Sequence, residues 1–182
     1  ILKQKKGNTV SNLSSTRALR DITEKNGGNY FASAVGEVNV VTKMKEKNAV
    51  IGGEGNGGVI YPDLHYGRDA LVGIALFLTH FAKMNLSMSE LKKSYPNYTI
   101  SKNKIELTPT TNIDELLKKI ANKYSDTEQN SIDGLKLDFE NEWVHLRKSN
   151  TEPIIRIYAE SENKDKAHAL GERFIKELSE LM

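Results

Sequence analysis

Residues 51–60 read Ile-Gly-Gly-Glu-Gly-Asn-Gly-Gly-Val-Ile (IGGEGNGGVI), and the backbone this run adopts decides the fold of the first half of the chain. Gly53, Gly55 and Gly58 satisfy G-x-G-x-x-G. A dinucleotide fold needs its third glycine at the start of a helix, and an acidic residue about 20 positions later to hold a ribose. Here Val59-Ile60-Tyr61-Pro62 follows Gly58, the region near residue 75 is apolar, and no Walker lysine is present, so that reading fails. Five glycines within residues 52–58 predict instead a bend with positive φ, or one that lets a ligand come close to the backbone. Glu54 and Asn56 sit inside it: a carboxylate can accept from two neighbouring hydroxyls, and an amide can both donate and accept, which suits a polyol. A tight turn carrying two solvated polar side chains fits the same letters.

Around this bend, short apolar runs alternate with amphipathic stretches, the pattern of strands and helices sharing one sheet. Residues 9–13 read as a strand, after which Ser14 or Ser15 caps a helix reaching about Asn26 and ended by Gly27-Gly28. Residues 30–34 read as extended. Residues 36–47 carry Val40, Val41 and Met44 at helical spacing, and Ala49-Val50-Ile51 form a short buried strand leading into the glycines. Residues 68–83 give the strongest helix signal, with Leu71, Ile74, Ala75, Leu78 and Ala82 on one face and Asp69 at its positive end. Arg68 and Asp69 read as an ion pair at the entrance of that helix, His65 as loop packing and Arg17 as a surface charge. Ser87 and Glu90 form a capping box. Residues 1–95 are therefore expected to form an α/β domain with a mixed sheet.

Tyr95-Pro96-Asn97 is turn chemistry and marks the expected domain boundary. Residues 96–182 read as a strand at 98–107, a helix capped by Asn112 and running to about Tyr124, strands at 132–139, 143–147 and 154–160, and a closing helix from 164 to 181. That order predicts a small α+β domain, a sheet layered on two helices. Between the last two strands lies Arg147-Lys148-Ser149-Asn150-Thr151-Glu152-Pro153. A guanidinium fork, two hydroxyls, an amide and several backbone N–H groups make a plausible phosphate cradle. An ordinary hairpin connection built from turn-forming residues fits equally well.

Composition excludes several classes. The 182 residues are 38% hydrophobic, enough for a core, and the longest apolar run, near residues 70–82, is shorter than the roughly 18–20 residues of a membrane span. No signal segment opens the chain, so a cytoplasmic location is the default expectation. The absence of cysteine removes disulfides, thiolate metal sites and a cysteine nucleophile, and the four histidines show no ligand spacing, so no metal is assigned. Residues 1–95 hold 13 Lys/Arg against 8 Asp/Glu and residues 96–182 hold 13 against 16, about +5 and −3. That imbalance suits a small anion and is too weak for a nucleic-acid footprint.

GGEGNGGVIYPDLHYGRDA followed about ninety residues later by RKSNTEP resembles the third and fourth domains of the α-D-phosphohexomutases, the phosphomannomutase and phosphoglucomutase superfamily. The resemblance covers essentially the whole chain. It implies a sugar-binding α/β domain III at 1–95, truncated at its N-terminus, and a phosphate-binding domain IV at 96–182 of the TATA-box-binding-protein-like α+β kind. It further implies an enzyme interconverting hexose 1-phosphate and 6-phosphate through a phosphoserine and a bisphosphorylated intermediate. Mg2+ and hexose 1,6-bisphosphate serve the full-length enzyme. The serine and metal loops belong to missing domains 1 and 2, so no catalytic residue is expected here. By resemblance Glu54 holds sugar hydroxyls, and Asn56 stands where many relatives have Ser. Glu37, in Val35-Gly36-Glu37, takes the place of a histidine that contacts ligand, while Arg147, Ser149, Asn150 and Thr151 form the phosphate loop. A non-catalytic phosphosugar- or anion-binding module is the alternative reading.

Overall fold

The computed structural model describes residues 1–108, 111–149 and 151–182. The chain divides into two compact units, 1–97 and 98–182.

The first unit runs β1 (Asn8–Asn12), α1 (Ala18–Lys25), β2 (Tyr30–Ser33), α2 (Glu37–Glu46), β3 (Ala49–Glu54), β4 (Gly58–Tyr61), β5 (His65–Arg68), α3 (Ala70–Met84) and α4 (Met88–Lys93). Its sheet has the order β2-β1-β3-β4-β5. β1 pairs parallel with β2 and with β3, whereas β4 and β5 add antiparallel. Parallel neighbours need a crossover, and α1 and α2 supply it. Val10, Val40, Met44, Ala49 and Ile60 form the core between sheet and helix. The expected mixed-sheet α/β domain is found.

The glycine run departs from its expected form. The strand predicted to stop at Ile51 continues through Gly52 and Gly53 to Glu54, and Gly58 opens the returning strand, so only Gly55, Asn56 and Gly57 lie between paired strands. Glycine is required at two of these positions for different reasons. A Cβ on Gly53 would collide with the carbonyl oxygen of Gly58 across the hairpin, whereas Gly57 meets nothing within 4 Å but has φ +97°. The missed β4 and β5 share this cause: four-residue strands broken by Gly and Pro offer too little alternation to read.

Two helix starts also differ. α1 begins at Ala18 with Arg17 at its N-cap, and Ser14 and Ser15 are drawn into a turn by Asn12, whose Oδ1 accepts from the Ser14 N–H (3.1 Å) and the Ser15 Oγ–H (2.9 Å). Arg17 is buried, contrary to its reading as a surface charge. α3 begins at Ala70, capped by Asp69, whose Oδ1 accepts from Val72 N–H at 2.9 Å. The helix has the expected apolar composition but buries none of its residues, and Leu71 is 78% exposed.

The second unit runs β6 (Thr99–Glu106), α5 (Ile113–Lys123), β7 (Glu128–Asn130), β8 (Leu135–Asp138), β9 (Trp143–Lys148), β10 (Ile154–Ser161) and α6 (Lys164–Leu181). The sheet is antiparallel throughout, ordered β6-β10-β9-β8-β7. Ile113, Leu116 and Ile120 of α5 and Leu170, Phe174 and Leu178 of α6, at helical spacing, join Leu137, Leu146, Ile155 and Ile157 of the sheet in one core. This is the expected α+β module with one further strand, β7, too short and too polar to be visible in the sequence.

Candidate functional site

In open α/β sheets ligands bind outside the carboxyl ends of the parallel strands. Here those ends meet on one carboxylate. β1 ends at Asn12, whose Nδ2 donates to Glu54 Oε1 at 3.0 Å; the segment after β2 brings the Gly36 N–H to the same oxygen at 3.1 Å; and Glu54 is itself the last residue of β3. The Glu54 side chain is only 4% exposed. A desolvated carboxylate must be paired and hydrogen-bonded, and its second oxygen lies 3.3 Å from Arg68 Nη1.

Arg68 closes a second bridge. Its backbone N–H donates to Glu37 Oε1 (3.0 Å) and its Nε to Glu37 Oε2 (2.9 Å), so one residue holds the first residue of α2 against the end of β5. These two bonds, the backbone one foremost, hold the Glu37 carboxyl below the usual carboxylate range. The expected Arg68–Asp69 pair is therefore replaced. Arg68 joins Glu37 to Glu54, and Asp69 takes His65 Nε2 at 3.1 Å besides capping α3. Adjacent residues at a strand end point to opposite faces, which the sequence pair Arg-Asp does not reveal.

Glu37, Asn56, Gly58, Arg68 and Asp69 line an open cleft of about 490 Å³. Asn56 is exposed at its rim, with Oδ1 accepting from the Gly58 N–H at 3.2 Å. The solvated-turn reading thus describes Asn56 and not Glu54. Two residues missed at the sequence level complete the site: Asn12, which anchors Glu54, and Arg68 as its cation. A strand-terminal Asn two residues before a Ser-Ser turn was the available signal for the first.

In the second unit the predicted loop does connect two antiparallel strands, β9 and β10. Arg147 is largely buried, with Nη1 3.9 Å from Asp133 Oδ2. Ser149 is buried and its N–H donates to Ile154 O at 3.0 Å. Its Oγ accepts from Thr151 N–H (3.5 Å) and Arg156 Nη2 (3.4 Å), long contacts that do not saturate the donors. Asn150 lies outside the described residues. Arg156, not singled out in the sequence, belongs with this loop: it pairs in register with Arg147, its Nη2 holds Glu152 at 3.0 Å, and its buried Nε makes no hydrogen bond among the described residues. Counting register across the hairpin from Ser149 and Ile154 would have found it.

The chain matches two family models, "Phosphoglucomutase/phosphomannomutase, alpha/beta/alpha domain III" over residues 1–98 and "Phosphoglucomutase/phosphomannomutase, C-terminal domain" over 102–177. It is 36% identical over 181 residues to a phosphoglucomutase/phosphomannomutase of Thermococcus kodakarensis, covering 97% of this chain and 39% of that protein. It is 36% identical over 163 residues to a phosphoglucosamine/phosphogalactosamine mutase of Sulfurisphaera tokodaii, covering 88% and 36%. A crystal structure of a phosphoglucomutase/phosphomannomutase family protein from Burkholderia thailandensis shares the fold with TM-score 0.78 at 24% identity, over 97% of this chain and 38% of that one. The chain thus spans about two fifths of the length of these relatives. It belongs to the phosphoglucomutase/phosphomannomutase family.

Proposed function

We propose, from this family membership, that the intact protein is a phosphohexomutase, interconverting hexose 1-phosphate and 6-phosphate, and that this chain supplies substrate positioning. Glu54 accepts hydrogen bonds from ring hydroxyls, with Glu37 and Asn56 beside it. Arg147, Ser149, Asn150 and Thr151 hold the phosphate that is not reacting. Binding energy from a remote phosphate then orients the reacting end, and positioning with electrostatic stabilisation accounts for most of the catalysis of phosphoryl transfer. Mg2+ and hexose 1,6-bisphosphate are requirements of the intact enzyme, with the phosphoserine and metal loops supplied by domains other than these two.

The supporting observation is the state of Glu54: a desolvated carboxylate fixed by Asn12, Gly36 and Arg68 at the carboxyl ends of three strands, beside a cleft. A merely structural turn has no need of that arrangement. The test is 31P NMR of the intact protein with glucose, mannose or glucosamine 1-phosphate, Mg2+ and the matching bisphosphate. Growth of a 6-phosphate resonance supports the reading. Binding without conversion establishes the non-catalytic module instead.

A further inference from the structure

Asn-Gly occurs twice in the chain, at 26–27 and at 56–57. Glycine has no side chain to shield its nitrogen, so in such a pair that nitrogen can attack the amide carbon of the asparagine before it. The two pairs stand in different settings. Asn56 and Gly57 are exposed at the tip of the β3–β4 hairpin and line the cleft, and a Cβ on Gly57 would meet nothing within 4 Å, so the approach to its nitrogen is open. Asn56 Oδ1 accepts from the Gly58 N–H at 3.2 Å. The small ring that this bond closes contains both Asn56 Cγ and Gly57 N. A donor on that oxygen draws charge from Cγ and steadies the oxyanion formed when a nucleophile adds. The Gly57 N–H donates to Glu54 O at 3.1 Å, a bond at the exposed tip, where local opening costs least. At the other pair the groups are tied down. Asn26 Nδ2, the nitrogen that would leave, donates to Ile22 O at 2.7 Å, the Gly27 N–H donates to Glu24 O at 2.8 Å, and the Lys6 side chain lies beside Gly27.

We propose that Asn56 is a modification site, which deamidates through Gly57 and thereby lowers the affinity of the cleft for anionic ligands. Gly57 N bonds to Asn56 Cγ, the Cγ–Nδ2 bond breaks, and the proton from Gly57 N leaves with that nitrogen as ammonia. Water then opens the resulting succinimide ring. Cleavage at Cγ leaves an aspartate at position 56, and cleavage at the main-chain carbonyl leaves an isoaspartyl link. Either product brings a carboxylate to a cleft that already carries Glu37 and Asp69. The isoaspartyl link also lengthens the main chain between Glu54 and Gly58, which are paired in register. The loss of affinity rests on the reading of the cleft as a phosphosugar site, whereas the modification does not.

The experiment is to hold the intact protein in mildly alkaline buffer, sample it over days, digest it with trypsin and read the peptides by mass spectrometry. The peptides spanning residues 26–43 and 48–68 contain one Asn-Gly pair each. Amide loss should appear first at Asn56, as two isomeric products. It should slow in mildly acidic buffer and in Gly57→Ala, whose methyl group screens the nitrogen. Calorimetry with glucose 6-phosphate should show binding weakened about threefold to tenfold in the aged protein, and likewise in fresh Asn56→Asp. Loss at Asn26 ahead of Asn56, or an equal rate in Gly57→Ala, overturns the modification. Deamidated protein that binds as tightly as fresh protein overturns the effect on the cleft. If fresh protein does not bind glucose 6-phosphate, the phosphosugar reading fails, and the affinity half of the inference with it.

Discussion

Arg147 and Arg156 stand directly opposite one another on neighbouring strands, paired in register across the β9–β10 hairpin. Directly opposed residues share a face, and like charges there oppose pairing. Each guanidinium has its own carboxylate, Asp133 at 3.9 Å and Glu152 at 3.0 Å, and the Nε of Arg156 stays without a partner among the described residues. On the phosphate-binding role proposed for this loop, an anion with several acceptors would offset the repulsion between the two guanidinium groups.

Arg147→Ala in the intact protein should therefore weaken sugar-phosphate binding by about 1.5–3 kcal/mol, the range for hydrogen bonds to charged groups. Calorimetry checks it, and an unchanged affinity removes Arg147 from the site. Inorganic phosphate should raise the melting temperature of the unaltered protein more than chloride at equal ionic strength, and lose that advantage in the variant.

Glu54→Ala should destabilise the first unit, whatever it does to the ligand contact proposed for this residue. It strands the Asn12 amide and the Gly36 N–H, which now donate to Glu54 at 3.0 and 3.1 Å. Leaving buried donors unsatisfied costs about 1–3 kcal/mol. Urea denaturation followed by near-UV circular dichroism measures it; a midpoint identical to that of the unaltered protein contradicts the anchoring role.

The two glycine requirements in the β3–β4 hairpin separate by substitution. Gly53→Ala drives a methyl into the Gly58 carbonyl and should cost roughly 2–3 kcal/mol, as overpacking does. Gly57→Ala has open space and suffers only from its positive φ, about 1 kcal/mol. Equal losses in thermal melts would contradict this account.

His145 gives a pH dependence. The ring is buried, its Nε2–H donates to the Asp133 carbonyl at 2.7 Å, and burial pushes its pKa from 6.5 down to about 4. The unfolded chain thus binds a proton that the folded chain refuses between those values, so stability falls as pH drops from 6.5 towards 4, by about 3 kcal/mol at most. Chemical denaturation of His145→Gln across the same window should show a shallower slope. Parallel slopes would assign the acid sensitivity to other groups.

How much of this was legible in the letters depends on period and on range. α6 and α5 were readable to within a residue or two because their apolar positions recur every three or four residues, and Asn112 marks the start of α5 as its cap. The hairpin at Arg147 was readable because two strongly apolar strands flank it. The glycine run pointed to Glu54, but the geometry around that carboxylate was not available. Asn12, Gly36 and Arg68 reach that carboxylate from 42, 18 and 14 positions away, and nothing local marks them as its partners. Pairing of Arg68 with its neighbour Asp69 was the local guess, and tertiary register overrode it.

The helix α3 bears on how this polypeptide behaves at the bench. Leu71, Ile74, Phe77 and Leu78 are all open to solvent along fifteen residues, a contiguous oily stripe of the kind that monomers rarely present. Handled by itself at high concentration, the 182-residue chain is expected to cloud and to scatter light. Lysines at positions 71 and 74 should raise its solubility limit while leaving its far-ultraviolet spectrum as it was.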